Sequence, residues 1–364
     1  MKLRVRDSVF TFAKVSILKT AIEISVVIPA YNAEATLDSC LDSLKKQTLK
    51  PFQIILVDDC STDRTTSIAS EAGIEILHFS IRGGPAIARN AGAEKAEGDI
   101  ILFLDSDVVV PPDLVERISE GFNADSSTVA VQTVYSPHCP AEDMVSRYQN
   151  FYYYHSLTSI KGNSTATFAT WCAAIKRETF IDIGGFNTSI PEPTVEDEEL
   201  GYEIADRGQK IVLERNIRVT HLASYTISQF IRRRHRMARA QAKSGWRSIR
   251  ERLLKRYINL RETGTHHSRW VVLSILLVLC AVSLILVFLA GTFLRLSLLS
   301  WFPVAALVAI LLSLLCHLNF FRSAVSHFGL KVLPGFLVLC LLDMTILGWG
   351  IIIGTVQFVS GKHY

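Results

Sequence analysis

The sequence predicts an α/β domain with a parallel sheet, followed by a basic segment and apolar helices long enough to span a membrane. The mean hydropathy of the 364-residue chain is +0.29, which is high for a soluble globular protein. Only four Lys, Arg, Asp or Glu residues lie between Trp270 and Phe358, and the rest of the chain has an ordinary charge density. This distribution excludes a uniformly soluble enzyme, a disordered chain and a protein made only of membrane helices.

The first hundred residues alternate between β-rich apolar runs and helix-forming segments. Strands are predicted at Ile24–Pro29, Gln53–Val57, Ile74–Phe79 and Ile100–Leu104, and helices at Ala33–Gln47, Asp63–Glu71 and Pro85–Ala96. Apolar strands separated by helices are typical of a parallel sheet with both faces covered. Ligands of such sheets bind at the carboxyl ends of the strands.

Polar residues follow three of these strands. They are Tyr31 and Asn32 after the first, Asp58 and Asp59 after the second, and Asp105 and Asp107 after the fourth. Carboxylates that converge at one sheet edge repel one another, and such sites are normally compensated by a divalent cation with hard oxygen ligands, Mg²⁺ or Mn²⁺. A lone D-x-D is usually a solvated turn, but its position after a strand makes it a candidate metal site.

A glycine-containing turn, Arg82-Gly83-Gly84-Pro85, leads into a helix that carries Arg89. Glycine allows a ligand to approach the backbone closely, and a helix N-terminus favours phosphate. A plain turn with a helix cap explains the same pattern equally well.

Residues 226–269 form a basic segment with thirteen Lys or Arg against two Glu. Nucleic-acid binding needs a cationic face on the globular domain, whereas here the domain is acidic and the basic segment directly precedes an apolar one. Anionic lipid is therefore the expected partner, and no nucleic acid is expected. The seven cysteines include no C-x-x-C pair, so neither a disulfide framework nor a zinc site is indicated.

Three apolar stretches, at about 270–293, 296–318 and 333–358, are long enough to cross the hydrocarbon layer as helices. The basic segment precedes the first, and Arg322 and Lys331 lie between the second and third. Positive-inside counting places the N-terminal domain in the cytoplasm of a multi-pass protein of the cell or inner membrane. Asp343, within the third stretch, is expected to face other helices or water.

The predicted organisation is an N-terminal segment (1–21), an α/β domain (22–225), a basic amphipathic linker (226–269) and a transmembrane domain (270–364). The N-terminal segment lacks a clean signal peptide. In the linker, Ile249, Leu253, Tyr257 and Leu260 recur at near-helical spacing, which predicts a helix lying on the membrane surface.

Taken together, the motifs resemble those of family 2 glycosyltransferases, which have a GT-A nucleotide-sugar-binding, Rossmann-like fold. They are SVVIPAYNAEATL (25–37), ILVDDCSTDRT (55–65), GPAIARNAG (84–92), GDIILFLDSDVVV (98–110), GGF (184–186) and EDEELGYEIADRG (196–208). The resemblance covers about residues 22–221.

The resemblance implies a role for each matching position. For binding of a UDP-sugar donor these are Pro29, Tyr31, Asn32, Asp58, Asp59, Arg89 and Asp105; for a metal ion, Asp105, Asp107 and His221; and for the catalytic base, Asp197. A single histidine more often has a structural role than a ligating one, so a structural role is the alternative for His221. Glu196, Glu198 and Glu199 compete with Asp197, and the charged first turn of a helix explains the acidic run without any catalytic role.

The sequence departs from the family's processive members. These carry Q-x-x-R-W after the base, whereas here Gln229-Phe230-Ile231-Arg232 is followed by Arg233. The departure favours addition of one or a few sugars. Arg232 and Arg233 are candidate pyrophosphate contacts, and a solvated or lipid-facing basic helix is an equal alternative.

The expected function is inverting transfer of a sugar from a UDP-sugar to a hydroxyl of a lipid or lipid-linked glycan, with Mn²⁺ or Mg²⁺ as cofactor. A polyprenyl phosphate acceptor is an alternative, because a phosphate is already ionised and needs no base. A non-catalytic, membrane-anchored nucleotide-sugar sensor is a second alternative. A transporter is a weaker third alternative, because three spans are few for a translocation path.

Overall fold

The computed structural model describes residues 22–190, 194–250, 269–293 and 300–362. The predicted N-terminal segment 1–21 lies outside these ranges. So do Leu253, Tyr257 and Leu260 of the predicted surface helix.

A nine-stranded mixed sheet forms the centre of the first domain. Strands β1 (Ile24–Ala30), β2 (Gln53–Asp58), β3 (Glu75–His78) and β4 (Ile100–Leu104) are parallel and lie in the order β3-β2-β1-β4. Their bounds agree with the predicted strands to within a residue. The carboxyl ends of β1, β2 and β4 therefore share one sheet edge.

The rest of the sheet comes from five later strands: β5 (Val108–Val109), β6 (Thr128–Tyr135), β7 (Ser164–Thr165), β8 (Cys172–Lys176) and β9 (Lys210–His221). Strand β8 is antiparallel to both β4 and β6, and β6 is parallel to β9. The short strand β5 pairs with the end of β9, opposite His221. This pairing brings the end of β9 next to the residues that follow β4.

Among the described residues before the basic segment there are seven α-helices: α1 (Leu37–Lys45), α2 (Thr65–Glu71), α3 (Pro85–Lys95), α4 (Leu114–Ala124), α5 (Met144–Thr158), α6 (Arg177–Ile183) and α7 (Glu196–Asp206). The helix predicted from Ala33 begins only at Leu37. Its first residues form a turn instead, because Asn32 has a positive φ of 50° and the Thr65 hydroxyl accepts from the Ala33 N–H at 2.8 Å.

The described part of the chain after Thr226 contains five α-helices: α8 (Ile227–Arg250), α9 (Arg269–Phe293), α10 (Phe302–Cys316), α11 (Leu318–Phe328) and α12 (Leu333–Val359). Within the described residues, two helical stretches, Trp270–Thr292 and Leu330–Val359, are long and apolar enough to cross a membrane. Helices α10 and α11 meet at a bend of 61° and count as a third only if the bent pair is one span. Part of the predicted second stretch, 296–299, lies outside the described residues.

Helix α12 packs along α8 through small residues. A Cβ added to Gly350 would lie 2.6 Å from Ala238 Cβ, and one added to Gly354 would lie 2.5 Å from the carbonyl oxygen of Arg239. Only glycine allows the two backbones to approach so closely. The basic helix is thus docked on an apolar helix along its length.

An aromatic cluster joins helix α5 to the C-terminal helices. Tyr148 and Phe151 are almost fully buried, and their rings lie 5.4 Å from Phe336 and 5.5 Å from Phe320, respectively. Edge-on aromatic contacts at these distances stabilise a packed core. The aromatic run at 151–154 therefore contributes to a core between the two parts of the protein.

Candidate functional site

An acidic cavity of about 190 Å³ opens beside the carboxyl end of β4. We call it the acidic cavity; its acidic and basic lining residues are Arg89, Asp105, Asp107, Glu196, Asp197, Glu198, His221 and Arg233. They come from helix α3, the loop after β4, the first turn of α7, the end of β9 and helix α8. The structure thus brings together residues that are more than a hundred positions apart in the chain.

Asp107 and His221 contact each other on one wall of the acidic cavity. His221 Nε2 lies 3.3 Å from Asp107 Oδ2, and its ring stacks on Tyr135 with 4.9 Å between centroids. Burial acts to raise the pKa of Asp107, but the contact with His221 and the charge of Arg233 together hold it below the usual value. Asp107 is therefore an anion at neutral pH.

This wall carries two of the three side chains that the sequence predicts as metal ligands. Among the described residues, no three His, Cys, Asp or Glu side chains are arranged to hold a metal ion. Asp107 and His221 form an adjacent oxygen and nitrogen pair that fits Mn²⁺ or Mg²⁺, and such ions usually take further ligands from phosphates and water. The third predicted ligand, Asp105, instead accepts from Arg89 Nη2 at 2.9 Å.

Arg89 is buried and links the two acidic groups of the cavity. It donates to Asp105 Oδ1 and, through Nη1, to Glu196 Oε1 at 3.2 Å. Although burial acts to lower its pKa, the neighbouring carboxylates Asp105 and Glu196 raise it above the usual value. The guanidinium predicted to bind the donor thus connects the D-x-D loop to the first turn of α7.

The four acidic residues at the start of α7 differ in their hydrogen bonds. Glu196 accepts from Arg89 and from the Thr194 N–H at 2.8 Å. Glu199 accepts from Asn187 Nδ2 at 3.1 Å and from the Ser244 hydroxyl at 3.0 Å. Glu196 is paired with Arg89, and Glu199 does not line the acidic cavity, so Asp197 and Glu198 are the candidates for a base.

The environment of Asp197 and Glu198 raises both pKa values. Burial, with the charges of Glu196 and Glu198, raises the pKa of Asp197 well above its usual range. Burial, with the charges of Glu196 and Glu199, raises the pKa of Glu198 to about 7. A carboxylate with a raised pKa is a stronger proton acceptor, as a general base requires.

The carboxylates predicted to contact the nucleoside lie at the same sheet edge, but they do not line the acidic cavity. Asp58 is fully buried, accepts from the Ser61 N–H at 3.1 Å and lies 2.7 Å from His78 Nδ1. Asp59 accepts from the N–H groups of Gly83 and Gly84 at 2.6 and 2.9 Å. Both carboxylates therefore shape the loops of the predicted base pocket.

The other predicted donor residues surround these loops. Asn32 Oδ1 accepts from the Thr62 N–H at 2.9 Å, and Pro29 is half-buried near the end of β1. Tyr31 is exposed, and the guanidinium of Arg82 lies 3.9 Å above its ring. In the sequence, Arg82 is recognisable only as part of the turn before α3. Its stacking on Tyr31 had no local signal in the sequence.

The three consecutive arginines 232–234 of α8 lie in three different environments. Arg232 is exposed and donates to the Ser228 hydroxyl at 2.8 Å, whereas Arg233 lines the acidic cavity beside Tyr225. Arg234 is buried and forms a two-bond ion pair with Asp343 of α12, at 2.6 and 2.7 Å. Of the two predicted pyrophosphate contacts, only Arg233 lines the cavity. Asp343 faces another helix, as expected.

Gly201 fixes the distance between α7 and the cavity wall. A Cβ at this position would overlap the carbonyl oxygen of Ala166 and lie 2.9 Å from the Phe168 nitrogen. We expect Gly201→Ala to lower the free energy of unfolding by about 1–3 kcal/mol, because the backbone must shift. A thermal unfolding series would measure this. Gly121→Ala in α4 is the control, because its Cβ would meet only Val131 at 3.5 Å and should be neutral or stabilising. Equal behaviour of the two variants would contradict the argument.

Comparison with known proteins identifies the first domain. Residues 25–184 match the family model described as Glycosyl transferase family 2. A Haemophilus influenzae protein described as an uncharacterized glycosyltransferase is 30% identical over 176 residues, which are 46% of this chain and 57% of that protein. Glycosyltransferase GlyG of Streptococcus pneumoniae serotype 4 is 34% identical over 118 residues, 31% of this chain and 39% of its own length. The matched part of the chain thus spans between about two fifths and three fifths of the length of these relatives.

The fold extends the similarity to almost the whole chain. A solved mannosyltransferase from Pyrobaculum calidifontis, in complex with GDP-Man and Mn²⁺, superposes with a TM-score of 0.59 over 94% of this chain and 89% of its own. Its sequence identity is 18%, so the likeness concerns the fold alone.

Proposed function

We propose, on the premise that this chain carries a glycosyltransferase family 2 domain with the GT-A fold, that it is a membrane-bound, inverting glycosyltransferase. It would move a sugar from a UDP-sugar to a hydroxyl of a lipid or lipid-linked glycan. The observation that supports this most directly is the acidic cavity, where Asp107, His221 and Arg233 share a space with Asp197 and Glu198.

The two sides of the cavity suit the two halves of a single displacement at the anomeric carbon. Asp197 would accept the proton of the attacking hydroxyl as the new bond forms. Asp107 and His221 would hold a divalent cation, which, when bound, neutralises charge on the departing nucleotide. Arg233 would add a fixed positive charge on that side. Arg89 would keep the two acidic groups at a constant separation.

The acceptor class is supported by the position of the apolar helices. Helix α8, which supplies Arg233 to the acidic cavity, is docked along α12, one of the two stretches apolar enough to cross a membrane. An acceptor anchored in the membrane would therefore meet the reaction site at the junction of these helices. Arg233, at the position where processive members carry Trp, favours a non-processive reaction.

The test is nucleotide release from a panel of UDP-sugars and GDP-mannose, with Mn²⁺, in membranes that contain the protein and added lipid extract. We expect one UDP-sugar to give lipid-dependent release. Asp107→Ala should abolish it, because the anion next to His221 is lost. Asp113→Ala is the matched control, since the Asp113 side chain is 45% exposed, pairs with Arg117 at 3.7 Å and does not line the acidic cavity.

The outcomes separate the alternatives. Release from GDP-mannose alone would replace the proposed donor, and nucleotide binding without release from any sugar would favour a sensor. Full activity of Asp107→Ala would contradict the metal role.

A further inference from the structure

A second and larger cavity lies beside the first. It measures about 390 Å³ and lies between α8, α9 and α12. Its walls include Val272 and Ile275 of α9 and Leu347 and Ile351 of α12. Cavities of this size bind small molecules or parts of larger ones. We call it the apolar groove.

The apolar groove and the acidic cavity share a wall of two side chains. Tyr153 and Met237 line both spaces, and the Tyr153 hydroxyl donates to Met237 Sδ at 3.5 Å. Methionine is unbranched and flexible, so it adapts to the shape of a neighbour. A ligand lying in the groove can therefore extend towards Asp197 by displacing one adaptable side chain.

The polar side chains of the groove already have partners within the protein. Arg234 is paired with Asp343, Gln241 donates to Glu198 at 3.0 Å, and Trp246 Nε1 donates to the Thr355 hydroxyl at 3.0 Å. Because these groups are satisfied, a hydrocarbon chain can lie against them without leaving a buried polar atom unpaired. The chemistry of the groove suits an apolar ligand.

We propose that the apolar groove binds the hydrocarbon chain of the acceptor lipid, whose polar end passes Tyr153 and Met237 to reach the acidic cavity. This inference rests on the proposed function and specifies how its acceptor is recognised. The groove and the cavity share the lining residues Tyr153 and Met237, and part of the groove wall comes from the two helices that are long and apolar enough to cross a membrane. Arg233, on the cavity side, provides a cation for the polar end of the lipid. An amphipathic molecule matches both spaces.

The test compares two adjacent isoleucines of α12. Ile351 lines the groove and is 38% exposed, whereas Ile352 does not line it and is 41% exposed. The full chain, in vesicles of phosphatidylethanolamine and phosphatidylglycerol, is irradiated with a diacylglycerol that carries a diazirine at the end of one acyl chain. Labelled residues are identified by mass spectrometry. UDP-sugar hydrolysis without acceptor is measured in parallel as a readout of the acidic cavity.

We expect labels on groove residues of α9 and α12 in the wild type and in Ile352→Trp. Ile351→Trp should lower groove labelling by about tenfold, because an indole in the groove removes apolar burial from the lipid chain. Hydrolysis should be unchanged in Ile352→Trp, whose side chain does not line the groove. Ile351→Ala, which widens the groove, should keep its labels and guards against a folding defect in the tryptophan variant.

Labels confined to the outward faces of the helices, or equal groove labelling in the two tryptophan variants, would overturn the proposal. Either result would also be expected if a second copy of the chain or its residues 251–268 filled the groove. Groove labelling without any sugar transfer or hydrolysis would support lipid binding in the groove and would contradict the proposed function.

Discussion

Replacing Asp197 with asparagine is expected to lower the rate of sugar transfer by about 10²–10⁴-fold, the usual contribution of a general base. The change is nearly isosteric, so the acidic cavity keeps its shape while the proton acceptor is lost. Initial rates of lipid-dependent nucleotide release measure the effect. Asp206→Asn is the matched control, because Asp206 lies exposed at the other end of the same helix.

An undiminished rate in Asp197→Asn would contradict the hydroxyl acceptor. A phosphate acceptor is already ionised and needs no base, so this result would favour the polyprenyl phosphate alternative. Loss of rate in Glu198→Gln, with a normal rate in Asp197→Asn, would move the role of base to the neighbouring residue.

The pH dependence gives an independent check on the base. The charge of Glu198 helps to raise the pKa of Asp197, so removing that charge should lower it. A base with a lower pKa stays deprotonated in more acidic solution. The acid limb of the kcat/KM profile should therefore move to lower pH in Glu198→Gln. A limb that does not move would mean that Asp197 is not the titrating group.

Breaking the ion pair between Arg234 and Asp343 is expected to cost about 3–5 kcal/mol of stability, the usual effect of leaving one buried charge without its partner. Asp343 has no exposed surface, and it also accepts from the Tyr148 hydroxyl at 3.2 Å. We therefore expect Arg234→Leu and Asp343→Leu each to lower the thermal unfolding midpoint in detergent by a large amount.

The double variant separates pairing from simple loss of a side chain. Two leucines bury no charge, so the double change should restore much of the stability lost in either single variant. Arg232→Leu, on the same helix turn but exposed, should change stability by no more than about 0.5 kcal/mol. Additive losses in the double variant would show that the charges do not act as a pair.

The parallel half of the sheet could be predicted because each of its strands is a continuous apolar run that is evident locally. The other half depends on pairing between distant segments. Strand β8 is the short sequence CAAIK, and its place between β4 and β6 is set by neighbours some forty to seventy residues earlier in the chain. Helix α11, predicted only as a connection between spans, depends on burial of Phe320 and Phe321 against other helices.

The same difference applies to the site. The motif residues Asp105, Asp107 and Asp197 were predicted from local patterns and line one cavity. The linking role of Arg89 was not predictable, since its second partner lies 107 residues away. Among the four acids of α7, only their tertiary partners separate Asp197 and Glu198 from Glu196 and Glu199.

The aromatic cluster around Tyr148 and Phe151 has a practical consequence for preparing this protein. A fragment that ends before the basic segment would lack Phe320 and Phe336. The aromatic surface around Tyr148 and Phe151 would then be exposed to water, which favours aggregation. It would also lack Arg233. The family 2 domain is therefore not a detachable soluble module, and purification should start from the whole chain in a lipid-like environment.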